Sequence, residues 1–329
     1  MNREKIIQAF VPGHAICSRL KAIRREVAIK MGVELNIPEC NNINPCAGSC
    51  PQCEKEIQQL ENVNSNLPTD FIAGVGKPVC DGFDPTGLPV FRGDNFDRLY
   101  NQYYKAPFFG IKRHSINIDG DGVCTLALFH GCNLQCRYCI NPQSLDPKTK
   151  VLNLSPKELL DIVKADNIYF VATGGGVTFG GGEPLLYPEF INEFRKICPP
   201  QWRINVQTSF NVKNNIVASL INSVDNFIVD VKDTHPDIYR PYTNFDNEDV
   251  YKNLVYIAQL GLQDKLTVKV PLIEGYNNQS DVDKSVKWLR DNGFNNIVCF
   301  EYKTPPQPYN HIQLGGVPAY NGEDDGLPL

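Results

Sequence analysis

Two cysteine triplets of identical spacing carry the most specific chemistry in this chain: Cys46-Ala47-Gly48-Ser49-Cys50-Pro51-Gln52-Cys53 and Cys132-Asn133-Leu134-Gln135-Cys136-Arg137-Tyr138-Cys139. Random placement of 12 cysteines in 329 positions would give about 0.02 such triplets, so neither is accidental. Thiolates this close together in sequence bind zinc or iron–sulfur clusters. In the second triplet, no fourth cysteine lies nearby. Three thiolates on a 4Fe-4S cubane leave one iron without a protein ligand, and an open coordination position marks a reactive centre. A zinc ion held by three Cys and a water is the alternative. The first triplet has Cys40 six positions upstream of Cys46. Cys40, Cys46, Cys50 and Cys53 therefore make a closed four-thiolate set, for an auxiliary 4Fe-4S cluster or a structural zinc. Cys80 or Cys17 could take the place of Cys40.

A second chemical signal is the run Gly174-Gly175-Gly176-Val177-Thr178-Phe179-Gly180-Gly181-Gly182-Glu183-Pro184. Glycines let a backbone approach a ligand closely and leave its N–H and C=O groups unhindered. The run lacks the Lys-Ser/Thr ending of a phosphate loop. Cys124, Cys198 and Cys299 fall inside apolar patterns and read as core thiols. His130 reads as a packing or hydrogen-bonding residue.

These residues need elements to hold them. Short apolar strands are expected at 124–129, 177–179, 203–208, 227–231, 266–270 and 297–300, with helices near 187–197, 216–221, 250–260 and 280–290. Ser155-Pro156-Lys157-Glu158 reads as a capping box that opens another helix. Six strands alternating with helices imply parallel βαβ units, and eight would close a full barrel. The fold class is therefore α/β, a partial (β/α)6 TIM-type barrel with an N-terminal Cys-rich module. The second triplet follows its first strand through His130-Gly131, at the strand end where barrels place chemistry.

The expected division is 1–110 for the N-terminal module, 111–305 for the core and 306–329 for a C-terminal extension that is acidic at Glu323, Asp324 and Asp325. Ile16, Leu20, Ile23, Val27 and Met31 recur at helical spacing in a segment rich in Lys and Arg, read as a solvated basic face or a docking face for an acidic partner. Aromatics are dense from Phe96 to Phe109 and read as packing between the two modules. Lys and Arg number 32 against 37 Asp and Glu, which argues against nucleic-acid binding. The longest apolar runs are five residues, far short of the roughly 20 that cross a membrane. The first residues do not read as an export signal, so many thiols point to a reducing, cytoplasmic setting.

The second triplet, with Tyr138 before its last cysteine, resembles the signature of the radical S-adenosylmethionine (SAM) superfamily, and Gly181-Gly182-Glu183-Pro184 resembles that superfamily's second motif. Ser115 to Cys132, Gly174 to Pro184 and Val270 to Asn277 resemble the glycyl-radical-enzyme activating enzymes, typified by the pyruvate formate-lyase activase. The resemblance covers residues 115–303. It implies that Cys132, Cys136 and Cys139 hold a 4Fe-4S cluster whose open iron chelates SAM. The backbone of Gly181, Gly182 and Glu183 would receive the methionine amino group, Tyr138 and Asn141 would flank the adenine, and Asp230-Val231-Lys232 would set Lys232 against the SAM carboxylate. Reduction of the cluster, by flavodoxin or ferredoxin under anaerobic conditions, would cleave SAM to a 5'-deoxyadenosyl radical that takes hydrogen from a glycine of a partner enzyme. Departures are Gln207 where relatives often have Asp, Glu274 in place of a common Pro, and Lys303 where some have His. Two other functions remain: radical SAM chemistry on another peptide or small molecule, and a two-cluster electron-transfer or redox-sensing protein.

Overall fold

The computed structural model describes residues 13–35, 51–64 and 104–302. Cys40, Cys46, Cys50, Cys80, Lys303, the C-terminal extension and the side chain of Cys17 lie outside the described residues. Two helices, α1 (Gly13–Lys30) and α2 (Pro51–Asn64), precede the sheet. The rest alternates strand and helix: β1 (Ala106–Ile116), β2 (Val123–Phe129), β3 (Leu152–Leu154), α3 (Pro156–Val163), α4 (Asn167–Thr173), β4 (Gly176–Gly181), α5 (Pro188–Ile197), β5 (Arg203–Thr208), α6 (Asn214–Leu220), β6 (Asn226–Asp230), α7 (Pro236–Thr243), α8 (Glu248–Gln259), β7 (Leu266–Ile273), α9 (Gln279–Asp291) and β8 (Ile297–Tyr302).

One eight-stranded sheet has the order β3-β1-β2-β4-β5-β6-β7-β8. From β2 to β8 the six expected strands pair in parallel and in chain order, the arrangement of a partial (β/α)6 barrel. The expected capping box is present: Ser155 Oγ accepts from Glu158 N, and Glu158 accepts from Ser155 N at 2.7 Å.

Two antiparallel strands extend the sheet beyond the sequence expectation. β1 pairs with β2 and with β3. It starts at Ala106, so the sheet begins ahead of the expected boundary at 110/111. Pro107, Gly110 and the run Lys112-Arg113-His114 hide it, since such residues are poor strand formers. Arg113 and His114 are nonetheless buried, because both contact Asp166, just before α4: Arg113 Nε at 2.8 Å and His114 Nε2 at 2.8 Å. Thr125 Oγ1 donates to the same carboxylate at 2.6 Å. Phe108, expected between modules, instead stacks in the sheet core on Phe129 with ring centroids 4.4 Å apart.

The two faces of the parallel sheet differ. Val177, Phe179, Ile204, Val206, Phe227, Val229, Val268 and Val270 join Phe190, Ile191, Phe194, Leu254 and Ile257 of the outer helices in one core. Each such side chain contributes about 1.5–3 kcal/mol of burial. The alternate positions point into the barrel and are largely polar: Thr178, Asn205, Gln207, Asp230 and Lys269. An ordinary barrel fills its interior with layers of branched apolar residues; this one keeps a polar interior.

The turn between β1 and β2 forms the floor. Asn117 and Gly122 close it with reciprocal hydrogen bonds, Asn117 N to Gly122 O at 2.9 Å and Gly122 N to Asn117 Oδ1 at 2.8 Å. Thr178 Oγ1 donates to Asp119 O at 2.5 Å. A Cβ on Gly120, whose φ is +133°, would stand 2.4 Å from Asn205 Nδ2, so the turn fits against the barrel only with glycine there.

α1 and α2 pack on α4 and on the β1–β2 pair, with Leu20, Ile57, Val123 and Tyr169 forming a small core. Arg24, part of the expected basic face, is fully buried: Nε donates to Glu56 at 2.9 Å and NH1 to Tyr169 Oη at 2.5 Å. Cys299, expected in the core, is exposed because β8 is an edge strand. Cys124 and Cys198 are buried as expected.

Candidate active site

Parallel register brings the two signature segments together. Phe129, the last residue of β2, pairs with Gly181, the last of β4. The cysteine loop and the glycine ridge therefore leave the sheet side by side, at the carboxyl ends where α/β folds build sites. The cysteine loop is fixed along its length: Gly131 N donates to Ser144 O at 2.7 Å, Gln135 N to Thr243 O at 3.0 Å and Arg137 N to Tyr242 O at 3.0 Å. His130 has the hydrogen-bonding role expected of it. Its ring Nε2 lies 3.1 Å from Asp146 O, and its carbonyl accepts from Tyr187 Oη at 2.7 Å.

Cys132, Cys136 and Cys139 line one cavity of about 310 Å³. The same cavity is lined by Tyr138, Asn141, Gly181, Gly182, Glu183, Asp230 and Lys232. Burial pushes the Cys132 thiol up to about 12 and Cys136 up to about 11, and raises Cys139 as well. The bare thiols are thus protonated near neutrality, and metal loading must displace their protons. Among the described residues no three His, Cys, Asp or Glu side chains are gathered as a site for one metal ion.

The glycine ridge is a close fit. Gly181 has φ +93°, and a Cβ on Gly182 would lie 1.9 Å from Gly131 O. Gly182 N donates to Phe129 O and Glu183 N to Gly131 O, both at 2.9 Å, so the ridge is bonded to the strand that feeds the cysteine loop. Asn141 Nδ2 closes the same junction by donating to Gly181 O at 3.2 Å.

The Glu183 carboxylate is committed within the protein. Oε1 accepts from Thr208 Oγ1 at 2.7 Å and Leu185 N at 3.1 Å; Oε2 accepts from Ser209 N at 2.9 Å and Ser209 Oγ at 2.7 Å. Burial still lifts its carboxyl above the usual range, although all four donors pull the other way. Its side chain ties the ridge to the end of β5.

Asp230 and Lys232 meet as an ion pair. Tyr302 on β8 completes it, its hydroxyl 3.4 Å from Lys232 Nζ and 3.3 Å from Asp230 Oδ2. Burial opposes the Lys232 charge, but Asp230 and then Tyr302 outweigh it and hold the ammonium well above its ordinary pKa. Tyr138 packs edge-on against Tyr242 and Tyr276, with centroids at 6.1 and 5.7 Å.

Several cavity residues were missed from sequence: Ile118, Asp119, Ile228, Lys269, Phe300 and Tyr302. A lysine between Val268 and Val270 in an apolar strand was the signal for Lys269. Asp119 reaches Gln207, whose Nε2 donates to its Oδ1 at 2.5 Å, while Ser115 Oγ donates to Oδ2 at 2.7 Å. Of the first triplet only Cys53 is described. It is buried in the first turn of α2, with Arg24 NH2 3.5 Å from its sulfur.

The architecture and the cavity define an α/β-barrel enzyme. The chain belongs to the radical SAM superfamily, which matches residues 126–289, and it is a radical SAM enzyme. Among relatives, the choline trimethylamine-lyase activating enzyme of Oleidesulfovibrio alaskensis is 28% identical over 249 residues, covering 56% of this chain and 78% of that protein. The (2S)-3-sulfopropanediol dehydratase activating enzyme of Klebsiella oxytoca is 24% identical over 239 residues, covering 54% and 74%. The pyruvate formate-lyase-activating enzyme of Clostridium pasteurianum is 34% identical over 134 residues, 40% of this chain and 56% of that one.

Membership implies a 4Fe-4S cluster and SAM, and the residues present fit both. Three thiols share one cavity wall with a glycine ridge that has no room for side chains. Asn141 Oδ1, Ser144 Oγ and Asp230 Oδ1 are buried without a hydrogen-bond partner among the described residues, and all three residues line the cavity. Buried polar atoms of that kind are normally satisfied, so they mark places kept for a ligand.

Proposed function

We propose that this chain is an activating enzyme that installs a glycyl radical on a partner enzyme. The observation that carries the reading is the single cavity shared by Cys132, Cys136, Cys139, the Gly181–Glu183 ridge and the Asp230–Lys232 pair. The relatives named as activating enzymes support the substrate class. When bound, the cluster and SAM supply a carbon radical able to take a hydrogen atom from substrate.

The chain's own residues hold and orient. Cys132, Cys136 and Cys139 would hold the cluster. The ridge backbone at Gly181, Gly182 and Glu183 receives the methionyl amino group, and Lys232 offers its ammonium to the methionyl carboxylate. Tyr138 and Asn141 border the adenine. Asp230 holds Lys232 in place. Electrons come from a flavodoxin or ferredoxin.

The residues ahead of β1 act as an N-terminal Cys-rich module, the sheet and its helices from Ala106 onward as the radical SAM core, and 306–329 as an extension. Cys40, Cys46, Cys50 and Cys53 hold a second 4Fe-4S cluster or a zinc ion; Arg24 NH2 lies 3.5 Å from the Cys53 sulfur. No helix of the described residues is long and apolar enough to cross a membrane. The enzyme works in the cytoplasm, with no nucleic-acid or membrane partner.

The test is anaerobic reconstitution with iron and sulfide, reduction, and addition of SAM. Formation of 5'-deoxyadenosine, abolished by Cys136→Ala, is expected; its absence from a fully loaded and reduced protein would favour an electron carrier. A glycyl radical signal on a candidate partner enzyme then separates the activase from radical chemistry on another peptide or small molecule.

A further inference from the structure

Tyr242, in the last turn of α7, carries a buried hydroxyl that the protein part leaves without work. The residue is 1% exposed, and its Oη has no hydrogen-bond partner among the described residues. An unpaired buried hydroxyl is unfavourable, so one left in this state calls for an explanation. Tyr242 is fastened to the stretch that follows Cys136. Its carbonyl accepts from Arg137 N at 3.0 Å, and its ring packs edge-on against Tyr138 with centroids 6.1 Å apart. Tyr276 packs on the same ring at 5.1 Å. Burial pushes the phenol up, so it stays protonated and able to donate; the ionisable groups that act on it are Lys232, Tyr302, Cys136 and Asp230. Lys232 is no acceptor. Asp230 Oδ1 is itself unpartnered, so the hydroxyl does not bond to it. Cys136 remains.

The three cysteine sulfurs are not alike in their surroundings. Leu134 N donates to Cys132 Sγ at 3.4 Å, and the Asn141 amide acts on Cys139 in the same sense. Each of these amides lies two residues beyond its cysteine. Cys136 has only its own amide. A hydroxyl donor and a sulfur acceptor thus stand unpaired beside one loop. A thiolate that shares a cluster's negative charge accepts far better than a thiol, and hydrogen bonds to cluster sulfurs set the reduction potential by favouring the more negative, reduced form. We propose that Tyr242 Oη donates to the Cys136 sulfur when the cluster is bound, and so raises the potential at which the cluster takes up its electron. Tyr242 is then a positioning residue that acts through Cys136. The proposal rests on the reading of Cys136 as a cluster ligand.

The test is a redox titration of the iron-loaded, SAM-free protein with dithionite as reductant, followed by electron paramagnetic resonance. The signal that changes on later addition of SAM identifies the cluster of the cavity. Tyr242→Phe keeps the ring and removes only the hydroxyl. It is expected to make reduction about tenfold less favourable, a shift of about 59 mV to lower potential for one electron. Tyr276→Phe removes a half-buried hydroxyl from the same group of rings and is expected to leave the potential where it is. Circular dichroism and iron content establish that each variant is folded and loaded. An unchanged potential in a fully loaded Tyr242→Phe protein overturns the proposal, and so does an equal shift in Tyr276→Phe. Loss of iron from Tyr242→Phe overturns it as well, because the hydroxyl would then serve cluster assembly. A tenfold loss of SAM affinity with an unchanged potential would assign the hydroxyl to the cofactor instead. Iron content and the cluster signal of the wild type, absent from Cys136→Ala, report separately on the ligand reading, so the two can fail independently.

Discussion

Gln207, near the end of β5, donates its side-chain amide to Asp119 in the β1–β2 turn at 2.5 Å, joining the floor of the barrel to its upper wall. The position that resembles an acidic one in relatives here carries a neutral amide, and the carboxylate beside it comes from another element. Gln can donate where Asp cannot, so the exchange lets the turn be fastened from above.

Asp119→Ala should therefore loosen the floor. It leaves the Ser115 hydroxyl and the Gln207 amide without their acceptor, at about 1–3 kcal/mol for each buried donor left unpaired. Urea unfolding measures this. A loss under about 0.5 kcal/mol, the range of neutral surface changes, would show that the link is idle.

Gly182→Ala should abolish SAM binding while leaving most of the fold in place. Its Cβ would meet the Gly131 carbonyl at 1.9 Å, and backbone on both sides must shift to admit it. The displaced segments are the ridge and the start of the cysteine loop. Equilibrium dialysis against SAM is the measurement, and retained affinity would mean that the ridge does not touch the cofactor.

Tyr302→Phe removes the hydroxyl that lies 3.3–3.4 Å from Asp230 and Lys232. The ring stays and the ion pair remains, so the fold should be unchanged. The SAM dissociation constant should rise by about three- to tenfold, equivalent to roughly 0.7–1.4 kcal/mol for one lost hydrogen bond. An unchanged constant would remove Tyr302 from the site.

Asp166→Asn should cost about 3–5 kcal/mol, because Arg113 would be left buried without its counter-charge. The pH dependence has a defined sign. Burial pushes the Asp166 carboxyl up, but His114 and Arg113 reverse this and hold it well below the ordinary carboxylate range. A depressed folded-state pKa contributes stability that is complete above the unfolded value of about 4 and drains away as the pH falls below it. Acid unfolding of the wild type should accordingly be steeper below about pH 4 than that of the variant. Parallel acid curves would refute the assignment.

The parallel strands were legible because each alternates an apolar outer face with a short bounded length, as in Arg203–Thr208, whose observed limits match the expected ones. The capping box at Ser155 was legible because its signal is local. β1 was not, because its buried charges are explained only by Asp166, about fifty residues away in sequence. Short α7 was hidden by Pro241 inside it. The cysteines and glycines of the cavity declared themselves by spacing. Asp119, Lys269 and Tyr302 did not, since single polar residues acquire meaning only once the barrel brings them around one cavity. Arg24 misled for a related reason: a basic helix face reads as solvated until a buried Glu56 is found opposite it.

The six residues from Asn117 to Gly122 have one more consequence. They sit at the far end of the barrel from the cysteines, and they set how deep the cavity runs. A longer or shorter turn would act as a depth gauge, resizing the chamber for a bulkier or slimmer guest. The cofactor end would not change. Tuning for a new guest and preservation of the radical-generating machinery are thus allotted to opposite ends of the same strands, and each can be altered without rebuilding the other.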